Sequence, residues 1–134
     1  MIQKINHIGI AVQKLDEQVA WYRDVLGLKF LGYEEVPSQK VRVAMFEVGQ
    51  THIELLEPTA PDSPIAKHIE KKGPGIHHLA YEVDNLTQTI AHLQSNSVQM
   101  IDTAPRPGAH EMEIAFVHPK SSCGILTELC SHKH

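Results

Sequence analysis

Residues 6–12, NHIGIAV, have a counterpart in residues 77–83, HHLAYEV, and this pairing decides the fold. It aligns His7 with His78, an offset of 71 positions. The same offset aligns Leu15 with Leu86, Val19 with Ile90 and Ala44 with Ala115. A sequence repeat of this kind indicates two supersecondary units built to one plan.

Each repeat begins with a β-rich run and continues into a helix. The first helix is predicted over about residues 16–26, with Asp16 as its N-cap, because apolar residues recur there at helical spacing. The second is predicted over about residues 86–94, capped by Asp84 or Asn85. Both helices then expose a polar face and turn an apolar face inward.

After each helix the pattern returns to strands. Residues 41–48 and 51–56 read as a hairpin closed by a turn at Gly49-Gln50. In the second repeat, residues 113–117 and 125–129 take the corresponding places. The plan is therefore βαβββ twice.

A short helix is predicted between the repeats. Ser63 is a capping residue, Pro64 suits the first helical position, and Gly73 lies beyond the end. We expect a single domain over residues 1–134, with module one at about 1–60, the linker helix at about 63–73 and module two at about 75–131.

The repeat relates two histidines and two glutamates that are distant in sequence. His7 and His78 lie in the first strands of the two halves, whereas Glu54 and Glu128 lie in the last strands. If the two modules pair about an approximate two-fold axis, these four side chains meet at one centre. Two imidazoles and two carboxylates suit a divalent ion such as Co, Mn, Ni, Fe or Zn, with positions left for substrate oxygens.

Each of these residues also has a purely structural interpretation. A single histidine in an apolar strand is more often a hydrogen-bonded core residue than a metal ligand. Glu54 and Glu128 sit among apolar residues, where burying an unpaired carboxylate is costly, although a half-exposed sheet would let both face solvent.

Composition disfavours several kinds of partner and location. The 134 residues carry a formal charge of −4 with no basic stripe, which disfavours nucleic acid as a partner. No apolar run approaches the roughly 18 residues of a membrane helix, so we expect a soluble, cytoplasmic protein. Cys123 and Cys130 lack the CxxC spacing of structural zinc sites and are expected to be reduced thiols.

Several motifs in order give the chain a family resemblance. They are NHIGIAV at 6–12, WYRDVLG at 21–27, IELLEP at 53–58, DSPIA at 62–66, GIHH at 75–78, HPK at 118–120 and LTEL at 126–129. This set resembles the methylmalonyl-CoA epimerases of the vicinal-oxygen-chelate superfamily, which also contains glyoxalases and extradiol dioxygenases. The resemblance covers nearly the whole chain.

The resemblance implies an α+β fold in which two βαβββ modules pair into an open, curved eight-stranded mixed sheet around a metal site. It implies one divalent metal ion, Co, Mn, Ni or Zn, bound by His7, Glu54, His78 and Glu128. It further implies an isomerase that interconverts (R)- and (S)-methylmalonyl-CoA by α-proton abstraction through a metal-stabilised enolate. The expected partner is a small-molecule acyl-CoA, and the expected assembly is a homodimer.

Glu128 is the residue that the resemblance implies as one acid/base. Some epimerases carry a second glutamate on the strand that here reads VRVAM, where the matching position is Val43. Glu113, His110 or a metal-bound water stay open as the second group, whereas Glu47 falls at a strand end in solvent. His77 is expected to face away from His78 and to have a structural role beside the site.

Other functions of the same fold remain as alternatives. A glyoxalase I-like lactoylglutathione lyase shares the fold and a His/Glu metal set, but the arginine that glyoxalases carry just after the first histidine is absent here. An extradiol dioxygenase typically uses only three protein ligands. A non-catalytic small-molecule-binding protein of this fold often lacks the full ligand set.

Overall fold

The computed structural model describes residues 1–132, which form an eight-stranded mixed sheet and three α-helices. The strands are β1 Ile2–Ala11, β2 Lys29–Val36, β3 Val41–Val48, β4 Thr51–Pro58, β5 Gly75–Val83, β6 Arg106–Pro107, β7 Met112–Val117 and β8 Leu126–His132. The helices are α1 Leu15–Ala20, α2 Pro64–Lys72 and α3 Leu86–Ser95. The strand order is β2-β3-β4-β1-β5-β8-β7-β6. This arrangement confirms the α+β fold and the βαβββ plan.

The two repeats use the same strand pairings. β1 pairs in parallel with β4, and β5 pairs in parallel with β8. The remaining pairs within each repeat, β2 with β3, β3 with β4, β6 with β7 and β7 with β8, are antiparallel. A parallel pair needs a long connection, and the helix and hairpin between the partner strands provide it.

By their internal contacts the described residues form two compact units. The N-terminal unit is residues 7–77, and the C-terminal unit joins residues 1–6 to the chain from His78 onward. In the C-terminal unit the amide of Asn6 donates to Glu82 at 2.9 Å, and the ammonium group of Met1 lies 3.3 Å from Asp84. These contacts attach the first residues of the chain to the second repeat.

Both faces of the sheet in the N-terminal unit are covered by apolar side chains. Leu55 packs with Phe46 and with Leu15 of α1, and all three have no measurable exposure. Its neighbour Leu56 faces the other way and packs with Ile65 of α2. Successive residues of a strand point to opposite faces, so β4 contributes to two cores at once.

The start of α1 differs from the sequence prediction. Lys14, not Asp16, is the N-cap residue, and its side chain makes no capping hydrogen bond. The free N–H of Leu15 donates instead to the Glu57 carboxylate at 2.8 Å. Because this cap comes from β4, a local sequence pattern could not reveal it. The helix continues beyond Ala20 as a π-helical segment over Trp21–Val25.

The other two helices begin as predicted. The hydroxyl of Ser63 accepts from the N–H of Ile65 at 3.1 Å, with Pro64 at the first helical position of α2. Asn85 caps α3 by accepting from the N–H of Gln88 at 3.0 Å. Side-chain caps of this kind satisfy backbone donors that have no partner within the helix.

The C-terminal unit has a core of its own. Leu86 and Ile90 of α3 pack against Ala115, Val117 and Leu129 of β7 and β8. Within residues 1–132, every helix is too short or too polar to span a lipid bilayer. Cys123 is exposed and Cys130 is buried, and neither forms a disulfide within the described residues.

Candidate metal centre

β1 and β4 bring His7 and Glu54 together in the N-terminal unit. In the parallel ladder His7 is opposite His52, and Gly9 is opposite Glu54. Because alternate residues of a strand share a face, the side chains of His7 and Glu54 project from the same side of the sheet. Nδ1 of His7 lies 3.5 Å from Oε2 of Glu54.

β5 and β8 repeat this arrangement in the C-terminal unit. His78 is opposite Leu126, and Ala80 is opposite Glu128. Nε2 of His78 lies 4.0 Å from Oε1 of Glu128, and both residues are buried. Gly9 and Ala80, the residues opposite the two glutamates, are equivalent positions of the repeat, so each unit presents one imidazole and one carboxylate in the same register.

Three of the four predicted ligands have donor atoms close to one another. One ligand atom each from His7, Glu54 and His78 lies within 4.8 Å of the other two. Among the described residues, Glu128 is not a member of this group of three, although it neighbours His78. Two imidazoles and a carboxylate are donors that borderline divalent ions accept.

The Glu54 carboxylate is in an environment that disfavours its charge. Burial, and to a lesser degree the negative charge of Glu34, raise its pKa from 4.5 to about 7. A buried carboxylate is costly when nothing compensates its charge. A divalent cation at this position would provide that compensation, so the environment of Glu54 fits a metal ligand.

His77 is separate from the group of three, as predicted. Its ring packs edge-on against the ring of His68 in α2, with the centroids 4.8 Å apart. Burial and the nearby charges of His68 and Lys72 lower the pKa of His77 to about 4. The neutral imidazole is therefore the stable form in the folded chain at neutral pH.

The strand ladders also locate three of the residues considered as acid/base groups. Glu113 pairs with Ser131 of β8, which is three positions from Glu128. Because successive residues of a strand alternate between the two faces, the side chains of Glu113 and Glu128 project from different faces of the sheet. Glu47 lies near the end of β3 and forms an ion pair with Lys29 at 3.3 Å. His110 is exposed in a turn before β7 with a positive φ of 56°. These positions disfavour Glu113 as the second acid/base and leave Glu47 at the surface.

Sequence reasoning missed Glu34, which lies close enough to Glu54 to raise its pKa. Glu34 is on β2, opposite Val43 of β3. The sequence predicted strands after α1 without fixing the bounds of β2, so no face could be assigned to its residues. The register of β2 against β3 is what reveals this carboxylate.

Comparison with known proteins identifies relatives over nearly the full length. Residues 6–116 match the model of the Glyoxalase/Bleomycin resistance protein/Dioxygenase superfamily. The chain is 43% identical over 132 residues to the uncharacterized protein YqjC of Bacillus subtilis, covering 98% of this chain and 94% of that protein. It is 37% identical over 131 residues to the ethylmalonyl-CoA/methylmalonyl-CoA epimerase of Cereibacter sphaeroides, covering 96% and 98% respectively.

A solved structure agrees with these matches. A variant of the Streptomyces coelicolor methylmalonyl-CoA epimerase, in complex with 2-nitronate-propionyl-CoA, superposes with a TM-score of 0.88 and 35% sequence identity. The match covers 98% of this chain and 96% of that chain. Sequence and structure therefore point to the same relatives.

Proposed function

Because the chain belongs to the methylmalonyl-CoA epimerase family of the glyoxalase/bleomycin resistance protein/dioxygenase superfamily, we propose that it interconverts (R)- and (S)-methylmalonyl-CoA. The observation that carries this proposal is the His–Glu pair that recurs in the same register in both repeats. One His–Glu pair in each repeat supplies the two imidazoles and two carboxylates that the proposed centre requires.

The proposed centre holds one divalent metal ion through His7, Glu54, His78 and Glu128. The first three are supported by the proximity of their donor atoms, and Glu128 is supported by its place beside His78. The raised pKa of Glu54 adds support, because a cation would offset the cost of its buried charge. Co, Mn, Ni and Zn all accept such donors, and the identity of the metal stays a prediction.

Removing the α-proton of the substrate is the chemical difficulty. This proton is only weakly acidic, although the thioester carbonyl allows the charge left behind to delocalise as an enolate. When bound, the divalent ion would supply Lewis-acid stabilisation of that charge. The residues of the chain have to position the substrate, exclude water and transfer the proton.

Glu128 is the proposed acid/base for this transfer. Its side chain is buried on β8, with 8% of the residue exposed, so its carboxylate can act in a site shielded from bulk water. A positioned carboxylate typically contributes about 10²–10⁴-fold to a proton-transfer step. Nε2 of the neighbouring His78 lies 4.0 Å from Oε1 of Glu128.

An acyl-CoA is the small-molecule partner that the proposal requires. The Streptomyces coelicolor relative holds 2-nitronate-propionyl-CoA in its solved structure, and we extend that class of ligand to this chain. A homodimer and a cytoplasmic location stay predictions from the sequence.

Proton NMR in deuterium oxide tests the proposal. The chain is reconstituted with Co, Mn, Ni or Zn and given methylmalonyl-CoA, and loss of the α-proton signal is followed. We expect exchange that requires metal and that, for the epimer from which Glu128 takes the proton, falls at least about 100-fold in Glu128→Gln. Glu113→Gln, a carboxylate on the other face of the adjacent strand β7, is the matched control and should leave the rate unchanged. Absence of exchange with all four metals would contradict the proposal.

A further inference from the structure

We propose that Glu34 is a second proton-transferring residue of this reaction, acting on the epimer that Glu128 does not deprotonate. This role rests on the proposed function. Inversion of a carbon centre requires a proton to leave from one side and another to return to the opposite side. A single carboxylate on one side exchanges the proton without inverting the centre, so a second group is required.

The register of three strands places Glu34 on the face that carries Glu54. Glu34 is opposite Val43 of β3, and Val43 is opposite Leu56 of β4. Residues opposite each other in neighbouring strands project from the same face, and Leu56 is two positions from Glu54. Glu34 and Glu54 therefore share a face of the N-terminal unit.

A β-bulge at Leu31 produces this orientation. Phe30 is opposite Phe46, whereas Gly32 is opposite Met45, so two steps along β2 match only one step along β3. Without the extra residue, strict alternation would place Glu34 on the same face as Phe30, against α1. Bulges occur often beside active sites, where they redirect side chains.

Neighbours on both sides of Glu34 confirm the orientation. The Tyr33 hydroxyl donates to Asp16 of α1 at 3.1 Å, and the Arg42 guanidinium lies over the Tyr33 ring at 4.4 Å. Val36 packs instead against the cluster that contains Leu56 and Ile65. Tyr33 thus faces α1, and Val36, which has the same parity as Glu34, faces the other side.

The strand spacing sets the separation of the two carboxylates. Neighbouring strands are about 4.8 Å apart, so the backbones of β2 and β4 are separated by roughly 10 Å. Val43 lies between them on the same face, and its side chain is apolar. The two charges interact across this space, since the Glu34 carboxylate contributes to raising the pKa of Glu54.

Glu34 is available for proton transfer. It is exposed, and no described residue forms an ion pair or hydrogen bond with its side chain. An exposed glutamate on an edge strand also discourages pairing with other strands. Its neighbour Glu35 is exposed on the same strand and faces the other side. A substitution of Glu35 therefore controls for the loss of a negative charge from the edge strand, as distinct from the loss of a proton-transferring group.

The proposed step balances in protons and electrons. The Glu34 carboxylate accepts the α-proton, and the electron pair of the broken C–H bond moves into the thioester as the enolate forms. A proton from the acid on the opposite side then forms the new C–H bond. In the reverse direction the protonated Glu34 donates, and exchange with water restores both groups after each turnover.

The test follows each pure epimer separately in deuterium oxide with metal-reconstituted Glu34→Gln, measuring α-proton exchange and inversion in the same sample. We expect inversion to fall at least about 100-fold from either side. We expect exchange to fall by a similar factor for one epimer and to stay within about threefold of the unsubstituted chain for the other. Glu35→Gln should leave the exchange rate and the inversion rate of each epimer unchanged.

Three results would overturn the proposal. An inversion rate in Glu34→Gln that stays within about threefold of the unsubstituted chain shows that Glu34 does not transfer a proton in this reaction. Equal loss of exchange from both epimers shows that Glu34 supports binding or folding rather than one proton transfer. An unsubstituted chain that exchanges neither epimer contradicts the proposed function itself, and the role of Glu34 fails with it.

Discussion

The imidazole Nδ1 of His7 lies 3.5 Å from the Glu54 carboxylate, and His78 has Glu128 as its corresponding neighbour at 4.0 Å. Each pair is formed by a first strand and the last strand of the same repeat, joined in parallel. The repeat therefore extends from backbone pairing to the placement of individual imidazole and carboxylate groups.

Removal of either histidine should weaken metal binding strongly. His7→Ala or His78→Ala is expected to lower the affinity for Co²⁺ at least about 100-fold, because each change deletes a ligand rather than a supporting hydrogen bond. Isothermal titration calorimetry of the metal-stripped chain measures this loss. His92→Ala, at an exposed position of α3, is the control. Equal affinities in all three variants would show that the metal binds elsewhere.

The metal-free chain should lose stability as the pH rises through the titration of Glu54. The pKa of Glu54 is about 7 in the folded chain, compared with the ordinary value of 4.5 expected in the unfolded chain. The folded chain therefore binds more protons than the unfolded chain between these two pH values. The free energy of unfolding then decreases between pH 4.5 and about 7, by up to about 3 kcal/mol. Urea denaturation at pH 5 and pH 8 measures the difference. Glu54→Gln should flatten it, and an unchanged slope in that variant would contradict the assignment.

His77 should make the chain sensitive to acid. Its pKa falls from 6.5 to about 4 on folding, so the unfolded chain binds more protons in that window. Stability is complete above pH 6.5 and is lost as the pH falls towards about 4, by about 1–3 kcal/mol. Comparison of His77→Gln with His92→Gln by thermal denaturation at pH 4.5 and pH 7 tests this. Identical acid sensitivity in both variants would exclude His77 as the cause.

The long-range cap on α1 should contribute measurably to stability. Glu57→Ala removes the acceptor of the Leu15 N–H and the negative charge near the helix N-terminus, and is expected to cost about 1–2 kcal/mol. Glu17→Ala, in the first turn of the same helix and exposed, should change stability by less than about 0.5 kcal/mol. Chemical denaturation of both variants gives the comparison. A loss in Glu17→Ala equal to that in Glu57→Ala would contradict the capping role.

The sequence predicted the features that depend on short-range patterns. The caps at Ser63 and Asn85 are local signals, since the capping oxygen and the N–H it accepts from are within three residues of each other. β3 was predicted with the bounds Val41–Val48 that the structure has, because its apolar pattern ends at a clear turn. The alignment of His7 with His78 was equally readable, since it needed only a comparison of the chain with itself.

Features that depend on long-range register could not be predicted. The cap on Leu15 comes from a residue 42 positions away, so Asp16 was chosen wrongly on local grounds. The face of Glu34 depends on a bulge that shifts the alternation of β2 by one residue. Gly32, with a positive φ of 123°, is the local sign of this bulge, but a glycine alone does not fix the register of the strand. Likewise, the opposite orientations of Glu113 and Glu128 follow only from the pairing of β7 with β8.

The proposed epimerase activity is tested by following a single epimer of methylmalonyl-CoA with the metal-reconstituted chain. The composition of the mixture over time is read by an enzyme assay specific for one epimer. We predict that either epimer is converted to an equal mixture, and that removal of the metal by a chelator stops the conversion. An epimer that stays unconverted with Co, Mn, Ni and Zn alike would contradict epimerase activity.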